Sequence, residues 1–290
     1  MVSSRTRVVS GVIAVTFALV ACSAGTSESP RVGSRETTVG FGHVHGLGIN
    51  PANDRLYVAS HMGVFQQTND GFERIADRYQ DTMAFTVTGN DTFLASGHPD
   101  LRETDKPVHL GLIESTDAAN TWQALSLEGQ ADFHALEPAQ DRVYGYDSNN
   151  GVLKVTGDKQ QWSDIARMGV IDLAVNPDNP EDLLITDDQT RLQRLTGSST
   201  IRAAATAPPL AFIDWPRTDL LIGVGPAGAV YHSRDAGASW QTLPPVGSAP
   251  QALDVTPDVW HVAAEHGVLR STDEGRTWSP VAGQPGRNGS

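Results

Sequence analysis

The chain has 290 residues, with 21 Lys and Arg against 34 Asp and Glu, a formal charge of −13. That balance excludes a basic face of the kind that binds nucleic acid or anionic head groups. A lone cysteine excludes a disulfide framework, and 28 Gly and 17 Pro among short alternating apolar runs predict β structure.

Taken in chain order, Arg5 and Arg7 precede an apolar run from Val8 to Val20 that is short for a bilayer span and reads as a signal peptide, residues 1–21. The run ends in Leu19-Val20-Ala21-Cys22, which resembles the lipobox of bacterial lipoproteins. Cys22 is therefore the expected lipidation site, and the expected location is extracytoplasmic, on the outer leaflet of the cell membrane. Cleavage would remove Arg5 and Arg7 and leave 269 residues with 19 basic and 34 acidic side chains, a charge of −15. Membrane residence would then rest on acyl chains alone. Residues 22–40, rich in Ser, Gly and Thr without apolar periodicity, read as a flexible tether.

From residue 41 the chain repeats. First strands are expected at His45-Gly46-Leu47, Ala84-Phe85-Thr86, His134-Ala135-Leu136, Asp172-Leu173-Ala174, Ala211-Phe212-Ile213 and Ala252-Leu253-Asp254, with starts 39, 50, 38, 39 and 41 residues apart. A period near 40 with about four strands per unit predicts an all-β propeller of four-stranded antiparallel blades. Six units fill 41–282; a seventh would have to draw strands from the short stretch Arg31 to Gly40, so six is preferred. The long second unit carries an insertion, Pro99 to His109, expected to be an exposed loop, and 283–290 is expected to be a disordered tail.

Three segments nearly superimpose: Ser115-Thr116-Asp117-Ala118-Ala119-Asn120-Thr121-Trp122, Ser233-Arg234-Asp235-Ala236-Gly237-Ala238-Ser239-Trp240 and Ser271-Thr272-Asp273-Glu274-Gly275-Arg276-Thr277-Trp278. These resemble Asp-boxes, in which the Asp accepts backbone N–H groups in a tight turn, Gly or Asn supplies positive φ, and the Trp packs on the hairpin base. In the first copy Asn120 is expected to take the place of Gly. Thr68-Asn69-Asp70-Gly71 and Gly157-Asp158-Lys159-Gln160-Gln161-Trp162 read as degenerate relatives. Asp117, Trp122, Asp235, Trp240, Asp273 and Trp278 are thus structural, joining strands three and four on one face.

The opposite face should hold the channel mouth, where propellers bind ligands. His43, His45, His134 and Asp172 come there from starts of innermost strands. His61, His98, Asp100, Asp147, Asp187, Asp188, Glu265 and His266 come from turns after second strands. His43 and His45 lie two apart on one strand and point the same way. With His134 they are candidate ligands for a divalent transition metal, zinc or copper, since imidazole and carboxylate donors suit these ions. The competing reading is a set of hydrogen-bonded channel histidines tying blade to blade. Asp147 and Asp187 are the candidate acid and base if the mouth is catalytic.

His43-Val44-His45-Gly46-Leu47, Ser96-Gly97-His98-Pro99-Asp100, Leu112-Ile113-Glu114-Ser115-Thr116-Asp117 and Asp132-Phe133-His134-Ala135-Leu136 together resemble the actinobacterial BNR/Asp-box lipoproteins, often labelled glycosylhydrolase or exo-sialidase-like. The resemblance covers Phe41 to Val281 and implies the sialidase and sortilin type of propeller, a scaffold with many functions. Sialidases hold a substrate carboxylate with three arginines, whereas the mouth here offers chiefly Arg102 and Arg191. The readings that follow are a binding module for a metal, small ligand or partner protein, a glycoside hydrolase with a nonsialic substrate, and an assembly factor for another envelope protein. The last predicts a large exposed apolar patch.

Overall fold

The structure is a computed structural model and describes residues 40–196, 200–204 and 206–283. The expected signal peptide, Cys22, nearly all of the expected tether and the expected tail beyond Gly283 lie outside the described residues.

Six four-stranded antiparallel sheets succeed one another along the chain, each with its strands in sequence order. Their innermost strands are Val44–Asn50, Asp81–Gly89, Phe133–Ala139, Val170–Asn176, Phe212–Arg217 and Pro250–Val255. These pack side by side in order, and the sixth packs against the first, so the ring closes on six blades. Among the described residues no strand is exchanged at closure. Blades one and six are instead joined by a shared apolar cluster from Phe41, Val44 and Leu47 to Ala263, Val268 and Val281, and by the bond from Val44 N–H to Gln251 Oε1 at 3.0 Å.

Each blade exposes two apolar faces, and burial explains the ring. Six buried clusters lie one at each blade-to-blade interface. The second strands, flanked within their sheets and covered on both sides, are near-continuous apolar runs such as Leu220–Val224 and Trp260–Ala264, buried throughout. The innermost strands have one free edge along the channel, which is why Pro138, Pro216 and Pro250 are tolerated in them. Gly46 allows a close crossing there, because a Cβ would stand 2.8 Å from the Phe85 carbonyl oxygen of the next blade.

The three Asp-box-like turns repeat their bonding in detail. Ser115, Ser233 and Ser271 hydroxyls each donate to the Asp two residues on at 2.8–2.9 Å and accept the N–H four residues on at 2.8–2.9 Å. Asp117, Asp235 and Asp273 then accept the N–H and hydroxyl of Thr121, Ser239 and Thr277. Asp158 forms a shorter relative of this turn: Thr156 in place of Ser donates to it, and it accepts the N–H groups of Gln160 and Gln161. At Thr68-Asn69-Asp70-Gly71 a tight turn closes through Thr68 N–H to Gly71 O at 2.7 Å. The expectation for the first box is corrected at one point: positive φ falls on Ala118 and Ala119, at 57° and 68°, in the places of Ala236 and Gly237. Asn120 serves through its side chain, which donates to the Asp117 carbonyl at 2.7 Å.

Candidate functional site

The starts of the innermost strands and the turns between strands two and three share the face opposite the Asp-boxes. On blade one, the start of the inner strand brings His43 and His45 together with ring centroids 4.9 Å apart, despite a bulge between Val44 and Gly46. The turn after the second strand adds His61, whose N–H is held by the His43 carbonyl at 3.1 Å and whose ring lies 4.5 Å from that of His45. One ring nitrogen from each of the three lies within 4.8 Å of the others.

Blade two supplies the carboxylate. Asp81 opens its inner strand, with Oδ1 3.4 Å from His45 Nε2 and Oδ2 3.4 Å from His61 Nδ1. His45 Nε2 and Asp81 Oδ1 are both buried, and their 3.4 Å contact is too long and poorly aligned to close a well-formed hydrogen bond. Burial disfavours the Asp81 carboxylate, but the His45, His61 and His98 rings outweigh it and hold its pKa below the usual value. Burial and then the neighbouring His45 and His61 rings lower the pKa of His43, so its imidazole favours the neutral form that ligates metals.

Beside this group lie His98, His109 and Asp132, again with one ligating atom each within 4.8 Å. His98 ends the second strand of blade two, directly across from Asp81. His109 closes the inserted loop. Asp132 precedes the inner strand of blade three and is bonded to His134 Nε2 at 3.0 Å. Burial opposes its charge, but the His134, His98 and His109 rings hold its pKa low. The expected grouping of His134 with His43 and His45 is therefore corrected: His134 belongs with Asp132. Asp81, His109 and Asp132 were absent from the ligand set read from the sequence, although Asp132-Phe133-His134 repeats the spacing of His43-Val44-His45.

Other expected mouth residues have different tasks. Asp100 is buried, accepts Tyr79 N–H and Arg102 N–H at 2.8 and 2.9 Å, and pairs with the Arg102 guanidinium, which holds its pKa far below the carboxylate range. It thereby orders the insertion, which is exposed at Leu101 and Val108. Asp147 accepts Asp132 N–H and the Asn150 amide, while Asp187 accepts the Gln189 and Arg191 N–H groups and pairs with the Arg191 side chain. Both staple turns in their own blades, three and four. Asp188, Glu265 and His266 are exposed in turns.

Asp172 lines the channel itself, a cavity of about 120 Å³ whose walls also include Glu137, Asp214 and Asp254. Free-edge N–H groups need acceptors there, and the carboxylates supply them: Asp172 takes Ile213 N–H at 2.9 Å and Asp214 takes Val255 N–H at 2.8 Å, each from the following blade. Burial raises the pKa of Asp172 to about 7, and burial, with repulsion from Asp214 and Asp172 for Glu137 and from Asp254 and Asp172 for Asp214, raises both of these well above the usual range.

No family model matches the chain, and no curated protein matches it. Solved structures do. A virginiamycin B lyase from Staphylococcus aureus aligns at 11% identity over 84% of this chain and 86% of its own, with a TM-score of 0.56. A gluconolactonase from Xanthomonas campestris aligns at 12% identity over 80% and 86%, with a TM-score of 0.63. YCF48 from Cyanidioschyzon merolae aligns at 11% identity over 80% and 95%, with a TM-score of 0.52. At such identities the likeness establishes the propeller fold and leaves function to the site.

Proposed function

We propose that the chain is an extracytoplasmic binding module, tethered by a lipidated Cys22, that holds a divalent transition-metal ion, zinc or copper, at the mouth of the propeller. His43, His45 and His61 would ligate it, with Asp81 as a fourth donor or as the group orienting two of the rings. The observation that carries the reading is the meeting of three imidazole nitrogens within 4.8 Å beside an ionised carboxylate. A purely structural histidine network would close its ring nitrogens in short hydrogen bonds, whereas His45 and His61 stand at 3.4 Å from the Asp81 oxygens, longer than the usual range. His43 and His61 are exposed, which gives an ion there access to solvent and room for an exogenous ligand.

Metal analysis of protein purified without a His tag tests this. A His43→Ala/His61→Ala double variant is expected to hold one equivalent less zinc or copper than the parent after dialysis; equal metal content in the two proteins would overturn the reading. The glycosidase alternative gains no support from Asp147 and Asp187, whose oxygens are taken up in separate turns. The assembly-factor alternative called for a broad apolar patch, yet the exposed large apolar side chains among the described residues are Tyr79, Leu101 and Val108, beside or within one loop.

A further inference from the structure

The group around Asp132 is not needed by the ion site just described, and its own bonding is peculiar. Asp132 is 7% exposed, and its two oxygens are treated differently. Oδ2 accepts His134 Nε2 at 3.0 Å and the Ser148 hydroxyl at 3.2 Å, which fixes the carboxylate plane. Oδ1 is buried with no hydrogen-bond partner. Leaving a charged oxygen dry and unpaired is costly, so a cation is the natural complement.

The two histidines are prepared in the same sense. His98 Nδ1 lies 2.8 Å from the Val108 carbonyl oxygen, which can only accept. The proton must therefore sit on Nδ1, and Nε2 presents a lone pair, the arrangement by which metal-ligating imidazoles are held. His109 Nδ1 is buried without a partner, 3.8 Å from Asp132 Oδ2. Backbone bonds from Leu110 N–H to Gly97 O at 2.9 Å and from Gly129 N–H to His109 O at 2.8 Å hold His109 in place beside His98. The inserted loop thus delivers both the carbonyl that orients one imidazole and the second imidazole itself.

We propose that His98, His109 and Asp132 form a second cation site, distinct from His43, His45, His61 and Asp81, that takes a divalent transition-metal ion such as zinc through two imidazole nitrogens and one carboxylate oxygen. His134 and Ser148 position the carboxylate. Three protein donors leave a coordination position for water or a ligand atom. The two sites share a wall, the Asp81 and His98 pair across adjacent strands.

The test is a cobalt(II) titration of the tag-free full chain, followed by calorimetry and visible absorption, on the parent and three variants: His109→Ala, Asp132→Asn and His43→Ala/His61→Ala. Two equivalents are expected in the parent, and one in each variant. Asp132→Asn keeps an acceptor for Ser148 and changes mainly the charge, and unaltered melting temperatures certify the fold of each protein. If His109→Ala and Asp132→Asn both bind as many ions as the parent, the second site does not exist. If His43→Ala/His61→Ala binds none, the second site is likewise overturned. One equivalent in the parent that survives His43→Ala/His61→Ala but vanishes in His109→Ala would uphold this site and remove the first.

Discussion

Replacing Asp172 by Asn should flatten the dependence of stability on pH. Asp172 lines the channel, where burial raises its pKa to about 7 from 3.8, while the Ile213 N–H pulls the other way and loses. A carboxyl group whose folded pKa is raised binds its proton more tightly folded than unfolded, so it costs nothing below pH 3.8 and its penalty grows until the pH passes 7. Between pH 5 and pH 8 one such group removes roughly 2.5 kcal/mol of stability, from the two pKa values and 1.36 kcal/mol per unit. Asn retains a carbonyl oxygen for Ile213 N–H and has no charge to bury. Urea unfolding of the parent and Asp172→Asn at both pH values isolates the effect: groups remote from Asp172 cancel in the comparison, and Glu137 and Asp214, which the Asp172 charge pushes up, are relieved in the same direction. The variant should gain about 2.5 kcal/mol on the parent between pH 5 and pH 8. An equal change with pH in both proteins would refute the raised pKa of Asp172.

Other predictions concern the turns, the site and the anchor. Ser271→Ala removes a hydroxyl that donates to Asp273 and leaves Gly275 N–H buried and unpaired, so thermal unfolding should show a loss of about 1–3 kcal/mol. Gly97→Ala places a Cβ 2.0 Å from the Asp81 carbonyl oxygen at φ +124°, so it should cost more than about 1 kcal/mol and weaken zinc binding by displacing Asp81. Zinc affinity measured by competition should fall at least about tenfold from pH 7 to pH 5, because protons compete for the three imidazoles. Cys22→Ser should move the protein from the membrane to the soluble fraction on cell fractionation; retention at the membrane would remove the anchor.

Much of the architecture was legible because a blade cannot exist alone. A 40-residue period and three copies of the same stapled turn demand stacked, like-sized sheets, and they place the turns on one face and His43, His45, His61 and His98 on the other. The ligand set was less legible because each site is assembled across blades. Asp81 and Asp132 stand at the starts of the second and third inner strands, where His43 stands in the first, and only that positional equivalence marks them. His109 comes from an insertion outside the repeat, so no register could place it. Asp147, Asp187 and Asp100 looked free in the sequence because carboxylates at turns are acceptors for backbone N–H groups, and a sequence does not say which acceptor is already engaged. Asp172 was placed at the mouth, whereas it reaches the next blade along the channel and binds Ile213 N–H.

In the proposed site, imidazoles from one blade and a carboxylate from the next converge on one ion. Anomalous diffraction from crystals of the tag-free protein grown with zinc, collected on both sides of the zinc edge, tests it most directly. A peak about 2 Å from nitrogens of His43, His45 and His61 is predicted. Clear density for unliganded rings with no anomalous peak among them, at zinc concentrations that fill surface sites elsewhere, would contradict it.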